Sequence, residues 1–295
     1  MPIVFSFSND NFIANKVASN LNFKRGNATI RHFPDSESYV KLNSEVKNED
    51  VILINSLDHP DRKAMALLFF ADVAKEYGAK SIGLICPYLG YMRQDKRFHD
   101  GEAISSDIFA KFLSQHLDWL ITVDPHLHRY KALEEIYSIP TRVVHATLPI
   151  AQWIIDNVHN PYLIGPDEES TQWISEVAKL THAPFVILEK IRRGDRDVTV
   201  SVHDMEQYRE HTPVILDDII STAQTMIETA HQLNAIGLKP PICIGVHPIF
   251  AANSYQTLIN APIAKVVSSN TIPHASNAID VSPLITEALK AYLND

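Results

Sequence analysis

Glycine is scarce in this sequence, at 9 of 295 residues or about 3%, where globular proteins average about 7%. Loops that bind phosphate through backbone N–H groups usually contain glycine, because it lets the backbone approach a ligand closely. A phosphate-binding loop in this chain must therefore use glycine sparingly or hold phosphate in a different way.

Cysteine and long apolar runs are also nearly absent. The two cysteines, Cys86 and Cys243, lie in apolar, strand-like runs, so we expect buried thiols rather than a disulfide. No apolar run approaches the roughly 20 residues of a membrane helix. Residues 1–10 lack the basic start and apolar run of a signal peptide. We therefore expect a cytoplasmic protein that does not bind a membrane.

Positive charge is in the minority, since the net charge is −9. This balance argues against a nucleic-acid partner, because such partners usually bind a basic face. Two local basic clusters stand out, at residues 93–97 (Arg-Gln-Asp-Lys-Arg) and 190–196 (Lys-Ile-Arg-Arg-Gly-Asp-Arg). Distant surface charges are screened beyond about 8–10 Å, so such clusters can make one cleft attractive to anionic substrates.

Short apolar runs alternate with amphipathic helical patterns along almost the whole chain. The predicted strands are Val51–Asn55, Ser81–Cys86, Trp119–Val123, Tyr162–Gly165, Phe185–Leu188, Val214–Leu216, Ile242–Val246 and Lys265–Ser268. The predicted helices are Arg62–Tyr77, Ser105–His116, Leu148–Val158, Ser170–Leu180, Ser221–Ile236 and a closing Pro283–Leu293. This alternation predicts an α/β fold with mainly parallel sheets. The similar rhythm of the two halves predicts two domains, residues 1–145 and 146–295.

The most informative segment is Val214–Met226, where an apolar run ends in Asp217 and Asp218. Three hydroxyl side chains follow before a helical pattern begins: Ser221, Thr222 and Thr225. Ligands of parallel sheets bind at the carboxyl ends of strands, and the N–H groups of a helix start attract phosphate. Carboxylates accept strong hydrogen bonds from sugar hydroxyls. The segment predicts a site for a phosphorylated ribose; the alternative is an N-capped helix after an acidic turn.

Several segments in the same order resemble the ribose-phosphate diphosphokinases, also called phosphoribosyl diphosphate (PRPP) synthetases. They are Phe33-Pro-Asp-Ser-Glu37, Pro87-Tyr-Leu-Gly-Tyr-Met-Arg-Gln-Asp95, Thr122-Val-Asp-Pro-His126, Gly165-Pro-Asp167, Lys190-Ile-Arg192 and Asp217-Asp-Ile-Ile-Ser-Thr-Ala-Gln-Thr225. Gly101-Glu-Ala-Ile-Ser-Ser106 is most similar to the short archaeal-type members. The resemblance covers nearly the whole chain, which a single motif could not do.

The resemblance implies transfer of the β,γ-diphosphoryl group of ATP to the anomeric hydroxyl of ribose 5-phosphate, with Mg²⁺ as cofactor. It implies catalytic roles for Lys190 and Arg192. It implies binding of ribose 5-phosphate by Arg192, Asp217, Asp218, Ser221, Thr222, Ala223, Gln224 and Thr225. It implies binding of ATP by Phe33, Asp35, Ser36, Glu37, Arg93, Gln94 and Asp95. It implies metal ligands among Asp124, His126 and Asp167.

The resemblance also implies an architecture of two similar phosphoribosyltransferase-type domains, with the final helix packing on the N-terminal one. Asp35 and Glu37 would then reach a neighbouring subunit, which implies a homodimer or a larger assembly. We expect no nucleic-acid partner in this assembly.

The family pattern is altered where it normally has glycine. Ser36 replaces one glycine, Ala223 and Gln224 replace two more, and residues 168–170 replace a glycine-bearing turn. Gln224 could intrude on the 5-phosphate or donate an N–H to it. Two other functions therefore stay open: a paralogue that binds nucleotide and regulates a partner or uses another pentose phosphate, and a phosphoribosyltransferase that consumes PRPP.

Overall fold

The computed structural model describes residues 2–8, 11–166, 170–188, 191–192, 198–199 and 205–294. The chain divides into two compact units, the first formed by Met1–His145 with Val281–Asp295 and the second by Ala146–Asp280. No helix among the described residues has the length and apolar character required to cross a lipid bilayer.

The first unit is built on a six-stranded parallel sheet and a separate two-stranded hairpin. The strands of the unit are β1 (Ile3–Phe5), β2 (Lys24–Arg25), β3 (Ala28–His32), β4 (Ser38–Leu42), β5 (Asp50–Ile54), β6 (Ser81–Cys86), β7 (Trp119–Val123) and β8 (Thr141–Val144). Its helices are α1 (Phe12–Leu21), α2 (Pro60–Glu76) and α3 (Ser105–Ser114). The sheet order is β2-β1-β5-β6-β7-β8, while β3 and β4 form a separate antiparallel hairpin.

The central strands of this sheet are buried along nearly their whole length. Strands covered on both faces need apolar side chains in both directions, which explains the continuous apolar runs in the sequence. Phe5 of β1 meets Phe70 of α2 edge to face, with ring centroids 5.1 Å apart. A Cβ atom at Gly83 would lie 1.8 Å from the ring of Trp119 on the next strand, so this position requires glycine.

The second unit repeats the arrangement. Its strands are β9 (Pro161–Gly165), β10 (Phe185–Ile187), β11 (Ile191–Arg192), β12 (Val198–Thr199), β13 (Thr212–Ile220), β14 (Ile242–Pro248), β15 (Lys265–Ser269) and β16 (Asn277–Ile279). Its helices are α4 (Thr147–Asn157), α5 (Thr171–Thr181), α6 (Gln224–Ala235) and α7 (Ser254–Ile259). The parallel sheet has the order β10-β9-β13-β14-β15-β16, and β11 pairs antiparallel with β12.

The closing helix, α8 (Ser282–Asn294), belongs to the first unit. Tyr292 packs on Trp119 of β7, with ring centroids 4.8 Å apart. The Nη1 atom of Arg142 in β8 donates a hydrogen bond of 3.2 Å to the carbonyl of Ala288. The last helix therefore covers the part of the first sheet formed by β7 and β8.

The predicted α/β class with parallel sheets is confirmed. Strands β6 and β7 have the bounds that the apolar pattern predicts. Both cysteines are buried and free, as expected, and burial raises the pKa of the Cys243 thiol to about 12. Most other predicted elements differ from the structure by one or two residues at an end. The largest differences are that β13 continues to Ile220 rather than ending at Leu216, and that α6 begins at Gln224 rather than Ser221.

Candidate active site

The predicted ribose-phosphate segment lies at the end of β13, but its two carboxylates lie inside the strand rather than after it. Strand β13 is extended because it pairs with β14 as far as Ile220 opposite Pro248. The side chains of Asp217 and Asp218 are half-buried, and the N–H of Asp218 donates 2.9 Å to Oδ1 of Asp217.

The loop that follows opens helix α6 without a glycine. Ala223 is the residue before the helix, with φ 59° in the left-handed region, a conformation that glycine adopts at no steric cost. The side-chain amide of Gln224 donates 2.6 Å to Glu228, one turn further along the same helix. The backbone N–H of Gln224 points to the hydroxyl of Thr222 at 3.5 Å. Ala223 thus takes up a left-handed conformation at the helix start, and the Gln224 amide bonds to its own helix.

A second loop holds the ribose-phosphate segment in place. The carbonyl of Ile220 accepts the N–H of Phe250 at 2.9 Å, and the carbonyl of Ser221 accepts the N–H of Ala251 at 3.1 Å. The Ser221 carbonyl also accepts the buried hydroxyl of Ser254 at 2.7 Å. The sequence did not predict this support, because about 30 residues separate the partners and neither loop has a local motif for it.

The expected ATP-binding residues Phe33, Asp35, Ser36 and Glu37 form the exposed turn between β3 and β4. The N–H of Phe33 donates 2.8 Å to the carbonyl of Glu37, and the N–H of Ser36 donates 2.9 Å to the carbonyl of Phe33. Ser36 has φ 75°, so it takes up the conformation for which the family pattern has glycine. The guanidinium of Arg31 lies 4.7 Å from the Phe33 ring centroid.

The other expected ATP-binding residues, Arg93, Gln94 and Asp95, lie between β6 and α3. Arg93 is exposed and Gln94 is partly exposed. The Gln94 side-chain oxygen accepts the hydroxyl of Ser105, and its carbonyl accepts the N–H of Ser106 at 3.3 Å. The start of α3 therefore fixes the position of Gln94.

The expected metal residues Asp124 and His126 follow strand β7. Asp124 is buried with φ 35°, and its Oδ1 lies 2.8 Å from Nδ1 of His145. Nδ1 of His126 lies 2.9 Å from Nε2 of His128, a neighbour that the sequence analysis did not single out. A loop with a carboxylate and two imidazoles has donors that fit a divalent cation.

Two expected residues, Lys190 and Asp167, lie outside the described residues. Arg192 is described through its backbone, which pairs with Val198 in the antiparallel ladder of β11 and β12. Within each unit the structure thus gathers part of the expected set. The first unit has the 93–95 and 124–128 segments, and the second has the loop after β13.

Comparison with known proteins covers both units. Residues 2–116 match the N-terminal domain of ribose phosphate pyrophosphokinase, and residues 133–285 match the phosphoribosyl transferase domain. The crystal structure of phosphoribosylpyrophosphate synthetase from Mycobacterium smegmatis superimposes with a TM-score of 0.86 at 22% identity, covering 99% of each chain. This likeness confirms the fold.

The sequences of curated relatives identify the family of this chain. The ribose-phosphate pyrophosphokinase of Methanobrevibacter smithii is 30% identical over 94% of this chain and 96% of its own. That of Methanothermobacter thermautotrophicus is 31% identical over 88% and 90%. The resemblance read from the sequence motifs is therefore confirmed, and the chain belongs to the ribose-phosphate pyrophosphokinase family.

Proposed function

We propose that this protein transfers the diphosphoryl group of MgATP to the anomeric hydroxyl of ribose 5-phosphate, giving PRPP and AMP. The bond between the α- and β-phosphates of ATP breaks, and the sugar oxygen forms the new bond to the β-phosphorus. The hydroxyl proton leaves, and AMP departs with the electrons of the broken bond. Family membership supports the reaction type, and the loop after β13 supports the choice of sugar phosphate.

The loop after β13 is the observation on which the proposal depends. It combines two half-buried carboxylates, suited to sugar hydroxyls, with the start of a 12-residue helix, suited to a phosphate dianion. Ala223 keeps the left-handed conformation, and the Gln224 amide is bonded to Glu228. Both findings support a loop that still accepts the 5-phosphate after the loss of glycine.

The charged residues contribute mainly by position and charge. In an in-line transfer, negative charge spreads over the nonbridging phosphate oxygens, and fixed positive groups stabilise it. We assign this role to Lys190 and Arg192, on the chain segment that includes β11. Phe33, Asp35, Ser36 and Glu37 together with Arg93 and Gln94 hold the nucleotide, while Asp217, Asp218 and the 221–225 loop hold the sugar phosphate.

Mg²⁺ is the proposed cofactor, with Asp124, His126 and Asp167 as its ligands. When bound, it neutralises charge on the phosphates and helps to orient them. Mg²⁺ prefers oxygen ligands and retains several waters, so Asp124 is chemically the better donor of the two that are described. The contact of Oδ1 of Asp124 with Nδ1 of His145, 2.8 Å long, holds that carboxylate in a fixed orientation.

The partners follow from the same family assignment. We propose a cytoplasmic homodimer or larger assembly in which the turn of Asp35 and Glu37 contacts a second copy. The exposure of this turn and of the Phe33 ring, 39% accessible, supports a role in contacts outside its own unit.

A regulatory paralogue that binds nucleotide without turnover is the second candidate, and the replaced glycines are the observation that favours it. The positive φ angles of Ser36 and Ala223 weigh against it, because both turns keep the shape that glycine would give.

The deciding experiment is incubation of the purified protein with MgATP and ribose 5-phosphate, followed by mass spectrometry of the products. We expect AMP and PRPP in equal amounts. No AMP above an enzyme-free control rejects the proposed reaction. ATP binding in calorimetry without turnover would then favour the regulatory paralogue, and consumption of PRPP with a free base would favour a phosphoribosyltransferase.

A further inference from the structure

We propose that Arg129 is a positioning residue for ATP, and that it acts through Asp95. The proposal rests on the proposed function, because it assumes that Arg93 and Gln94 hold the nucleotide. It gives Asp95 a different role from its two neighbours. Asp95 anchors the segment, and the nucleotide is contacted by the residues beside it.

The contact between Asp95 and Arg129 is the first observation. Nη1 of Arg129 lies 2.8 Å from Oδ1 and 3.1 Å from Oδ2 of Asp95. The Asp95 side chain is only 2% exposed, whereas that of Arg129 is 42% exposed. A buried carboxylate needs a hydrogen-bonding or charged partner, so Arg129 determines where this carboxylate can rest. A ligand would have to displace Arg129 to reach it.

A second connection joins the same two segments through neutral groups. The hydroxyl of Tyr130 donates 3.3 Å to the carbonyl of Asp95 and lies 3.3 Å from the hydroxyl of Ser106. The Ser106 hydroxyl in turn donates 3.2 Å to the carbonyl of Gln94. The loop after β7, the 93–95 segment and the start of α3 are therefore tied together at side-chain and backbone atoms.

The consequence is that one loop carries both the expected metal residue His126 and the anchor of the expected ATP segment. His126 and Arg129 are three residues apart, so displacement of this loop would move the metal ligand and the nucleotide contacts together. Displacing a binding group by about 1 Å can cost up to about 100-fold in activity. Arg129 lies in the loop after β7, outside both sheets, and its side chain is 42% exposed.

The test compares four variants with wild type: Arg129→Ala, Arg129→Lys, Asp95→Asn and the double variant Asp95→Asn/Arg129→Ala. Lys111→Ala is the matched control, because it removes an exposed ion pair of 2.7 Å with Asp107 on the neighbouring helix α3. Each protein is measured for KM of ATP, KM of ribose 5-phosphate, kcat and Tm. Binding of a non-hydrolysable ATP analogue with Mg²⁺ is measured by calorimetry without the sugar.

We expect Arg129→Ala to raise the KM for ATP and the Kd of the analogue roughly 10- to 100-fold, with the KM for ribose 5-phosphate unchanged. Arg129→Lys should restore part of the affinity, since it keeps the charge but loses the planar group. The double variant should bind ATP about as weakly as Arg129→Ala alone, because the two residues act as one. Lys111→Ala should match wild type.

The proposal is overturned if Arg129→Ala binds the analogue within twofold of wild type, or if both KM values rise together. If Arg129→Ala does not fold, Arg129→Lys decides: a raised KM for ATP alone supports the anchor, and an unchanged KM overturns it. Calorimetry needs no turnover, so the result stands apart from the test of the proposed reaction. If the wild-type protein binds the analogue but forms no PRPP, the proposed reaction is rejected. The role of Arg129 is then decided by the Kd of the analogue in the variants.

Discussion

The two units have the same strand order but use it differently. In each unit the second strand in sequence, β2 or β10, lies at the edge of the sheet next to the first, β1 or β9. An antiparallel pair of strands then follows in sequence. In the first unit that pair, β3 and β4, carries the expected ATP turn at Phe33–Glu37. In the second unit β11 includes Arg192 and follows Lys190 directly. On the proposed function, the antiparallel pair at this point of the fold contributes to nucleotide binding in the first unit and carries a catalytic arginine in the second.

The loops after β5 and β13 occupy equivalent places in the two sheets. Each leads into a helix whose preceding residue is left-handed, His59 with φ 55° before α2 and Ala223 with φ 59° before α6. In the first unit Lys63 donates 2.9 Å to the carbonyl of Ser56 and 2.5 Å to Asp58. The positive charge of Lys63 is therefore paired with a carboxylate of its own loop. The first turn of α6 has no acidic or basic residue, so a phosphate there would not compete with a built-in ion pair.

If the loop after β13 binds the 5-phosphate as proposed, the shape of the turn does not by itself make an anion site, because the loop after β5 has the same backbone conformation at its helix start. Both loops have the same backbone device at the helix start. The two loops differ in the charge of the first helical turn. That of α2 has Asp61, Arg62 and a Lys63 that is bonded to its own loop, whereas that of α6 has only uncharged residues.

The largest effect is expected at Lys190, the residue that precedes the antiparallel pair of the second unit. Lys190→Ala should lower kcat by at least about 100-fold, as removal of a group that stabilises developing charge does, with Tm unchanged. Steady-state kinetics and thermal denaturation measure the two quantities. Lys179→Ala, on the exposed end of α5, is the control and should behave as wild type. A large drop in Tm with Lys190→Ala would show a structural role instead.

The next effect separates the two equivalent loops. Asp218→Asn should raise the KM for ribose 5-phosphate about 10- to 100-fold, because a hydrogen bond to a charged group contributes about 1.5–3 kcal/mol. Asp58→Asn, in the loop after β5, should leave that KM unchanged while loosening the contact with Lys63. Equal effects of the two substitutions on sugar binding would contradict the assignment of the site to the second unit.

A smaller effect is expected at the turn of the first hairpin. Phe33→Ala should raise the KM for ATP about tenfold, because an aromatic face that stacks on a base contributes about 1–3 kcal/mol. The fold should be preserved, since the ring is 39% exposed. Tyr77→Ala, which removes an aromatic ring 66% exposed at the end of α2, is the control. An unchanged KM for ATP with Phe33→Ala would remove the turn from the nucleotide site.

The smallest effect concerns the backbone device that the loops share. Ala223→Gly and His59→Gly should each stabilise the protein by a few tenths to about 1 kcal/mol. A residue with a side chain is destabilised by about 1–2 kcal/mol in the left-handed conformation, and glycine removes this strain. Part of the gain is offset because glycine also increases the entropy of the unfolded chain. The corresponding rise in Tm is about 1–4 °C. Loss of stability in either variant would mean that its side chain contributes more by packing than its backbone conformation costs.

Much of the scaffold could be predicted because its information is local. Strands β6 and β7 are uninterrupted apolar runs bounded by turn residues, and their ends were found correctly. The hairpin of β3 and β4 was missed as strand, since its residues are partly or fully exposed and lack a buried run. The predicted strand in β13 is too short, because pairing with β14 overrides the weak strand propensity of Asp217 and Asp218.

The candidate site was predictable where motifs are contiguous and not where partners are distant. The residues of the loop after β13 are adjacent in sequence and were all named. Arg129 and Asp95 are 34 residues apart, and Ser254 and Ser221 are 33 apart. Such pairs leave no periodic or spacing signal in a single sequence, so only the folded chain brings them to notice.

The return of α8 to the first unit has a consequence for synthesis. Domains usually fold in the order in which the ribosome releases them, the N-terminal one first. Here the second unit is complete once residue 280 has emerged, whereas the sheet edge at β7 and β8 waits for residues 282–294. The first unit, although most of it is made first, is therefore complete only when the last 15 residues of the chain are available. Packing of α8 on β7 and β8 thus makes completion of the first unit depend on the end of the chain.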